Sequence, residues 1–127
     1  MPPSNGSTSD TPGAREDPIA AIQRADGSTV VALAGELDLY NAHLVRDALL
    51  ECCSEGPDRL VVDLSEVKFI DSTALGVLVE ARSRMANRRA FLLAAPGMET
   101  RRALEVSGLD RHFSVHDSRD AALSASI

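Results

Sequence analysis

Apolar positions along the chain alternate between strand-like runs and helical spacing. Two runs, at 19 to 24 and 29 to 35, flank Asp26-Gly27, a dipeptide that favours a tight hairpin turn, so this region predicts two paired strands. The run at 60 to 64 shows no alternation, which is typical of a strand buried on both faces of a parallel sheet. Residues 67 to 70 carry the apolar pattern onward, and 90 to 95 predict another buried strand.

Helical spacing follows in four places. After the second strand, Asn41 is the expected cap of a helix that stops at Gly56 and Pro57 and buries Leu44, Val45, Ala48, Leu49 and Cys52. A second helix runs from Ser72 to about Asn87, with an apolar face made of Ala74, Leu75, Leu78, Val79, Ala81 and Met85. A third spans 98 to 107 and ends at Gly108; after a short edge strand at 113 to 115, Asp117 or Ser118 caps a final helix through Leu123.

This order of elements predicts an α/β fold. An N-terminal hairpin followed by alternating strands and helices gives a mixed β-sheet, with parallel strands after the hairpin, packed with about four helices. Residues 1 to 17 are rich in Pro, Ser, Thr, Gly and Asp and nearly devoid of apolar side chains, so we expect a disordered tail before one folded domain at 18 to 127. Asp63, inside a buried strand, is expected to be a hydrogen-bonded structural residue.

Composition excludes several functions. The formal net charge of −6 and an aromatic content of 3% disfavour direct nucleic-acid binding, and the arginines at 82, 84, 88 and 89 are interpreted as the solvated end of a helix. No window is long and apolar enough to span a membrane, so we expect no membrane partner. Cys52 and Cys53 are adjacent and poorly placed to bridge each other; with no apolar leader, they indicate a cytoplasmic protein.

The stretch DSTALGVL at 71 to 78 joins an apolar run to a helix. Asp71, Ser72 and Thr73 are residue types that favour helix N-caps, because each can accept a hydrogen bond from a free backbone N–H of the first turn. Gly76 is unusual in a first turn, since glycine weakens helices by about 1 kcal/mol relative to Ala. The missing side chain predicts close approach by another backbone or by a partner. From the local pattern alone, Ser72 is most simply a cap.

Three segments carry a family resemblance. DSTALGVL resembles the phosphorylation loop of STAS domains, specifically of bacterial anti-sigma factor antagonists. GELDLYNA at 35 to 42 resembles the segment after the second strand in that family, and RRALEVSGLDRHFSVHDSRDAAL at 101 to 123 resembles its closing helices and strand. The resemblance runs from about residue 18 to the end. Ala74 is a departure, because the family often carries glycine there.

The resemblance implies a STAS-like fold and a regulatory role. In such proteins the unphosphorylated form binds an anti-sigma factor that is also a serine kinase, and thereby frees a sigma factor; phosphorylation ends the binding and a serine phosphatase restores it. The residue after the Asp is the acceptor, which is Ser72 here, with Thr73 a weaker candidate. The implied partner surface consists of Asp38, Asp71, Ser72, Thr73 and Gly76.

Two other classes of function stay open. One is a STAS module without a phospho-switch, serving as an accessory part of a transporter or signalling assembly. The other is a hydrolase using Ser72, but Ser72 lacks the Gly-x-Ser-x-Gly setting, and His43, His112 and His116 are scattered. His112 and His116 have the i, i+4 spacing of a helical metal site, but Phe113 and Val115 between them indicate a strand and no cysteine or carboxylate pattern completes the site. No glycine-rich phosphate loop is present. We therefore expect no enzyme activity, no cofactor and no metal.

Overall fold

The computed structural model describes residues 16–127, so the tail predicted at 1 to 17 lies almost wholly outside the described residues. The strands are β1 Ile19–Ala25, β2 Ser28–Leu37, β3 Arg59–Ile70, β4 Phe91–Ala94 and β5 Ser114–His116. The helices are α1 Ala42–Ser54, α2 Ser72–Arg84, α3 Met98–Ser107 and α4 Arg119–Ser124. The strands form one sheet in chain order; β1 and β2 are antiparallel and the other neighbours are parallel. The predicted mixed α/β fold is confirmed.

The hairpin between β1 and β2 turns on Asp26-Gly27. Both residues have positive φ, 54° and 81°, and Ala25 pairs with Ser28 across the turn. A two-residue turn with φ above zero at both positions matches the twist of the flanking strands, and Asp-Gly adopts it readily. The dipeptide therefore fixes the register of the first two strands, as the sequence predicts.

The two faces of the sheet carry two separate cores. Side chains alternate along β3, so that Leu60, Val62 and Leu64 lie within the large core and Val61 within the smaller one. The large core is formed with α1, α2 and α3, and the smaller core with Ala122 of α4. Because β3 is buried on both faces from Leu60 to Leu64, its sequence is a continuous apolar run interrupted only by Asp63.

Asp63 ties α4 to the sheet. Its carboxylate accepts hydrogen bonds from Arg119 Nη2 at 2.7 Å and Nε at 3.0 Å, and from the Ser65 backbone N–H at 2.9 Å. Burial alone would raise the pKa of Asp63, but the hydrogen bonds from Ser65 and Arg119 outweigh it and lower the pKa below its ordinary value. The prediction that Asp63 is a hydrogen-bonded structural residue is confirmed.

Some element boundaries differ from the sequence prediction. The runs at 60 to 64 and 67 to 70 belong to one strand, β3, whose pairing with β2 shifts register past Ala32 and again past Gly35. Helix α2 ends at Arg84 rather than near Asn87, and Met85 is already extended. The Asn87 side chain instead accepts from the Arg89 N–H and caps a 3₁₀ turn at Arg88–Ala90, a local bond that competes with helix continuation.

Candidate functional site

The β3–α2 junction is built around Asp71. This residue is extended, its N–H donates to the Leu37 carbonyl at 3.0 Å, and its Oδ1 accepts from the Ala74 N–H at 3.0 Å. Asp71 is therefore the N-cap of α2 and satisfies one of the free N–H groups of the first turn. Of the three cap-forming residue types predicted at this junction, only Asp71 has this role.

Ser72 and Thr73 are the first two residues of α2. Both are exposed, and neither side chain forms a hydrogen bond within residues 16–127. The simple interpretation that Ser72 caps the helix is wrong, because the neighbouring aspartate already does so. The Ser72 hydroxyl lies at the positive end of a helix, where the backbone dipole favours a negative group.

The loop after β2 is folded by its own polar side chains. Asn41 Oδ1 accepts from the Asp38 N–H at 2.9 Å, and its Nδ2 donates to the Glu36 carbonyl at 2.8 Å. Asp38 Oδ1 accepts from the Tyr40 N–H at 3.0 Å. Asn41 occupies the N-cap position of α1, but its side chain makes no capping bond. The prediction that Asn41 is the cap residue of α1 is confirmed by its position, while its side chain holds the loop and makes no bond to the first turn.

This loop is bonded to the β3–α2 junction. The second carboxylate oxygen of Asp71, Oδ2, accepts from the Leu39 N–H at 3.0 Å. One carboxylate thus caps α2 with one oxygen and holds the neighbouring loop with the other. The structure brings together the segments that contain the predicted site residues Asp38 and Asp71, both of which are half-buried.

Gly76 is exposed and is the fifth residue of α2, so it lies just past the first turn in which the sequence placed it. A Cβ added at this position would meet no atom within 4 Å in the described part of the chain. Close approach by another backbone of the same domain is therefore the wrong explanation for this glycine. The other explanation, approach by a partner, stays a prediction.

Exposed apolar side chains lie on the loop and the helix that meet at this junction, and sequence reasoning missed them. Leu39 is 65% exposed and Tyr40 is 76% exposed in the loop, while Val79 is 43% exposed on α2. Ser72, Gly76 and Val79 are spaced by four and three residues, so they share one face of the helix. The prediction that Val79 and Leu44 lie in the core is wrong, because both are nearly half exposed. Two adjacent large apolar residues in a polar loop, Leu39 and Tyr40, could have indicated this exposed surface from the sequence.

Two helices beside this surface are joined by an ion pair. Arg46 of α1 donates to both carboxylate oxygens of Glu80 of α2, each at 2.8 Å. The hydrogen bond from Arg46 lowers the pKa of the Glu80 carboxyl below its ordinary value. A two-point guanidinium contact fixes orientation as well as distance, so the pair helps to hold α1 and α2 in register.

The histidines of the described residues are not bonded to Ser72. His116 bonds to Ser114 on β5 at 2.8 Å, and no hydrogen bond of residues 16–127 joins a histidine to Ser72. Over the same residues, no group of three or more histidine, cysteine, aspartate or glutamate side chains is placed to hold a metal ion. No helix among them has the length and hydropathy of a membrane span. The geometry favours a binding surface around an exposed hydroxyl.

Comparison with known proteins agrees with this geometry. A family model described as STAS domain matches residues 20–122. The chain belongs to the STAS domain family. The anti-sigma-F factor antagonist RsfB of Mycobacterium tuberculosis is 32% identical over 99 residues, covering 78% of this chain and 81% of RsfB. The anti-sigma-B factor antagonist of Bacillus subtilis is 30% identical over 90 residues, covering 69% and 81%.

A solved structure of similar sequence confirms the fold. The crystal structure of an anti-sigma factor antagonist from Mycobacterium paratuberculosis superposes with a TM-score of 0.77 at 32% identity, covering 82% of this chain and 89% of that one. The family resemblance predicted from DSTALGVL and the two flanking segments is thereby confirmed. The phosphorylation of Ser72 and the partner role of Asp38, Asp71, Thr73 and Gly76 stay predictions.

Proposed function

We propose that this protein is an anti-sigma factor antagonist controlled by phosphorylation of Ser72. The unphosphorylated form binds an anti-sigma factor that is also a serine kinase, and this binding releases a sigma factor for transcription. Phosphorylation of Ser72 ends the binding, and a serine phosphatase restores it. The observation that carries the proposal is the exposed Ser72 hydroxyl, which has no structural task because Asp71 caps the helix. The names of the STAS relatives support it.

The surrounding surface is suited to a protein partner. Leu39 and Tyr40 expose large apolar side chains in the loop that is bonded to Asp71, and Val79 exposes another on α2, seven residues after Ser72. Aromatic and aliphatic side chains of this kind contribute most of the binding energy when a partner removes them from water. Gly76, with open space above it, allows the partner close to the helix backbone.

Phosphorylation would oppose binding through local charge. A phosphoserine carries about −1.5 to −2 charges at neutral pH, and the N-terminus of α2 tolerates this charge because the helix dipole favours it. A partner that fits an uncharged hydroxyl would instead meet a dianion next to Asp71. Burying an unpaired charge costs several kcal/mol, and each 1.4 kcal/mol is tenfold in affinity, so binding falls by orders of magnitude without refolding.

The protein itself has no catalytic part in this cycle. The kinase activity belongs to the anti-sigma factor and the hydrolysis of the phosphoserine to the phosphatase. A serine needs a neighbouring base to become a nucleophile, and Ser72 has no hydrogen-bonded histidine or carboxylate within the described chain. We therefore expect highly purified protein to show no ATP or ester hydrolysis that responds to Ser72→Ala.

The test begins with affinity purification of the partner and mass spectrometry of both proteins. Incubation of the purified kinase partner with ATP should add one phosphate to the wild-type chain and none to Ser72→Ala. Ser83→Ala is the matched control, because Ser83 is exposed on the same helix but bonds to the Glu80 carbonyl. It should be phosphorylated like the wild type.

Binding is then measured by calorimetry for both forms. The phosphorylated chain should bind at least a hundredfold more weakly than the unphosphorylated chain, and Ser72→Ala should bind in the presence of ATP. Label found chiefly on Thr73, or equal affinity of the two forms, would contradict the proposal.

A further inference from the structure

A second polar site lies at the far end of α2. Arg82 in the last turn of this helix, Arg88 and Arg89 in the following 3₁₀ turn, and His112 and Ser114 around the start of β5 line a cleft of about 320 Å³. Residues 126 and 127 close one side. Arg82 follows Ser72 by ten residues, which is about 15 Å along the helix at 1.5 Å per residue. The cleft is therefore separate from the proposed phosphorylation site.

The arginines of this cleft lack the close carboxylate partners that three other arginines of the domain have. Arg24, Arg46 and Arg119 are each bonded to a carboxylate at 3.0 Å or less. By contrast, the side chains of Arg82, Arg88 and Arg89 form no ion pair or hydrogen bond within residues 16–127. Neighbouring like charges repel and lower the stability of a fold, so three unpaired guanidinium groups around one cleft need an explanation.

The cleft is made by tertiary structure. The Asn87 side chain fixes the turn that carries Arg88 and Arg89, and β5 brings His112 and Ser114 from more than 20 residues further along the chain. Arg82 and Arg84 lie in the last turn of α2, as predicted, and Arg84 pairs with Glu80 at 3.4 Å, whereas Arg88 and Arg89 lie beyond the helix in the 3₁₀ turn. Guanidinium groups offer several donors in a planar fork that matches phosphate and carboxylate oxygens.

We propose that this cleft binds a small polyanion carrying two or more phosphate or carboxylate groups. The cleft is large enough for a small molecule, and its three guanidinium groups can each bind one anionic group of that molecule. Phe91, at the floor of the cleft, is fully buried, so it offers no face on which a nucleic-acid base could stack. The net charge of −6 likewise opposes a long polyanion such as RNA, while a short one feels mainly the local arginines.

The test is a titration of the full chain with pyrophosphate, tripolyphosphate and citrate in 50 mM salt, followed by calorimetry and amide NMR. We expect binding of at least one of them with shifts concentrated at residues 82, 88 to 91 and 112 to 114, and a higher melting temperature when the anion is bound. The double variant Arg88→Gln/Arg89→Gln should weaken binding at least tenfold. The phosphate and citrate arms distinguish phosphate from carboxylate recognition.

The matched control is Lys68→Gln/Arg102→Gln, which removes the same formal charge at exposed positions that carry no ion pair in the described residues. Its affinity should stay within twofold of the wild type. Equal weakening by both double variants would show a non-specific charge effect and overturn the proposal. Binding that appears only after residues 126 and 127 are deleted would also overturn it, because the cleft would then be filled by the chain itself. RNA binding stronger than tripolyphosphate binding would contradict the proposal that the ligand is a small polyanion.

Discussion

Asp71 offers the sharpest test of how the site is held together. Its two carboxylate oxygens have separate tasks, one accepting from the Ala74 N–H and the other from the Leu39 N–H, each at 3.0 Å. Replacing Asp71 with Ala removes an N-cap, which costs about 1 kcal/mol. It also removes the bond to Leu39, which lies near the surface and is worth about 1 kcal/mol. We expect a loss of about 2 kcal/mol in the free energy of unfolding.

Asp71→Asn separates the two contributions. Asparagine is as good an N-cap as aspartate, so the amide oxygen still accepts from Ala74, while its NH₂ group cannot accept from Leu39. This variant should therefore lose about 1 kcal/mol, half the effect of Asp71→Ala. The control is Asp117→Ala, which removes a carboxylate that is 97% exposed and paired with Arg101 only at 3.4 Å; its effect should be under about 0.5 kcal/mol.

The assay is urea unfolding followed by circular dichroism, with thermal melting as a second measurement. A loss of 2 kcal/mol corresponds to a fall of about 8 °C in melting temperature for a domain of this size. A loss below about 0.5 kcal/mol for Asp71→Ala, or equal losses for the Ala and Asn variants, would refute the assignment of two separate tasks. An unchanged urea m-value would show that the variants unfold from a similarly compact state.

Four further predictions follow from the same contacts. Gly76→Ala should stabilise the free domain by up to about 1 kcal/mol, because the added Cβ meets no other atom, and it should weaken partner binding. A lower melting temperature, or an unchanged affinity for the partner, would contradict this. Asp38→Ala should reduce partner binding or phosphorylation more than thermal stability, and the reverse order in melting and binding assays would make Asp38 structural. Because the pKa of Asp63 is lowered in the folded state, this carboxylate stabilises the fold above its unfolded pKa of about 3.9, and the stabilisation is lost as pH falls through the folded pKa. Arg119→Ala should make the free energy of unfolding fall less steeply with acid, and a pH dependence equal to that of the wild type would refute this. Phosphorylation of Ser72 should change amide NMR shifts only around residues 36 to 41 and 71 to 78; changes throughout β2, β3 and β4 would show a conformational switch.

Local pattern was sufficient for most of the fold. The Asp26-Gly27 turn, the unbroken apolar run at 60 to 64 and the helix stop at Gly108 each act through neighbouring residues, so the chain itself displays them. The Ser72 junction is visible for the same reason. Its location on the surface follows from the meeting of a strand end and a helix start.

Features that depend on distant residues were not visible. The bond from the Leu39 N–H to Asp71 joins residues 32 positions apart, and no local pattern indicates it. Val79 has the spacing of a core residue, but only the packing of α1 against α2 decides that it faces water. The cleft of Arg88, Arg89 and His112 likewise needs β4 and β5 to bring its walls together.

The placement of Ser72 in the first turn of a helix determines how the proposed kinase would select it. Many modification sites lie in extended segments that an enzyme recognises as a short linear motif. Here Asp71 sets the backbone around the hydroxyl, since its N–H donates to the Leu37 carbonyl and its carboxylate accepts from the N–H groups of Leu39 and Ala74. The proposed substrate is therefore a shape that exists only in the folded domain. A peptide of residues 66 to 80 would contain the whole sequence motif but would lack Leu37 and Leu39, and so would not adopt that shape. Selectivity among serines would then depend on docking, and motif searches would not reveal which proteins one kinase can modify.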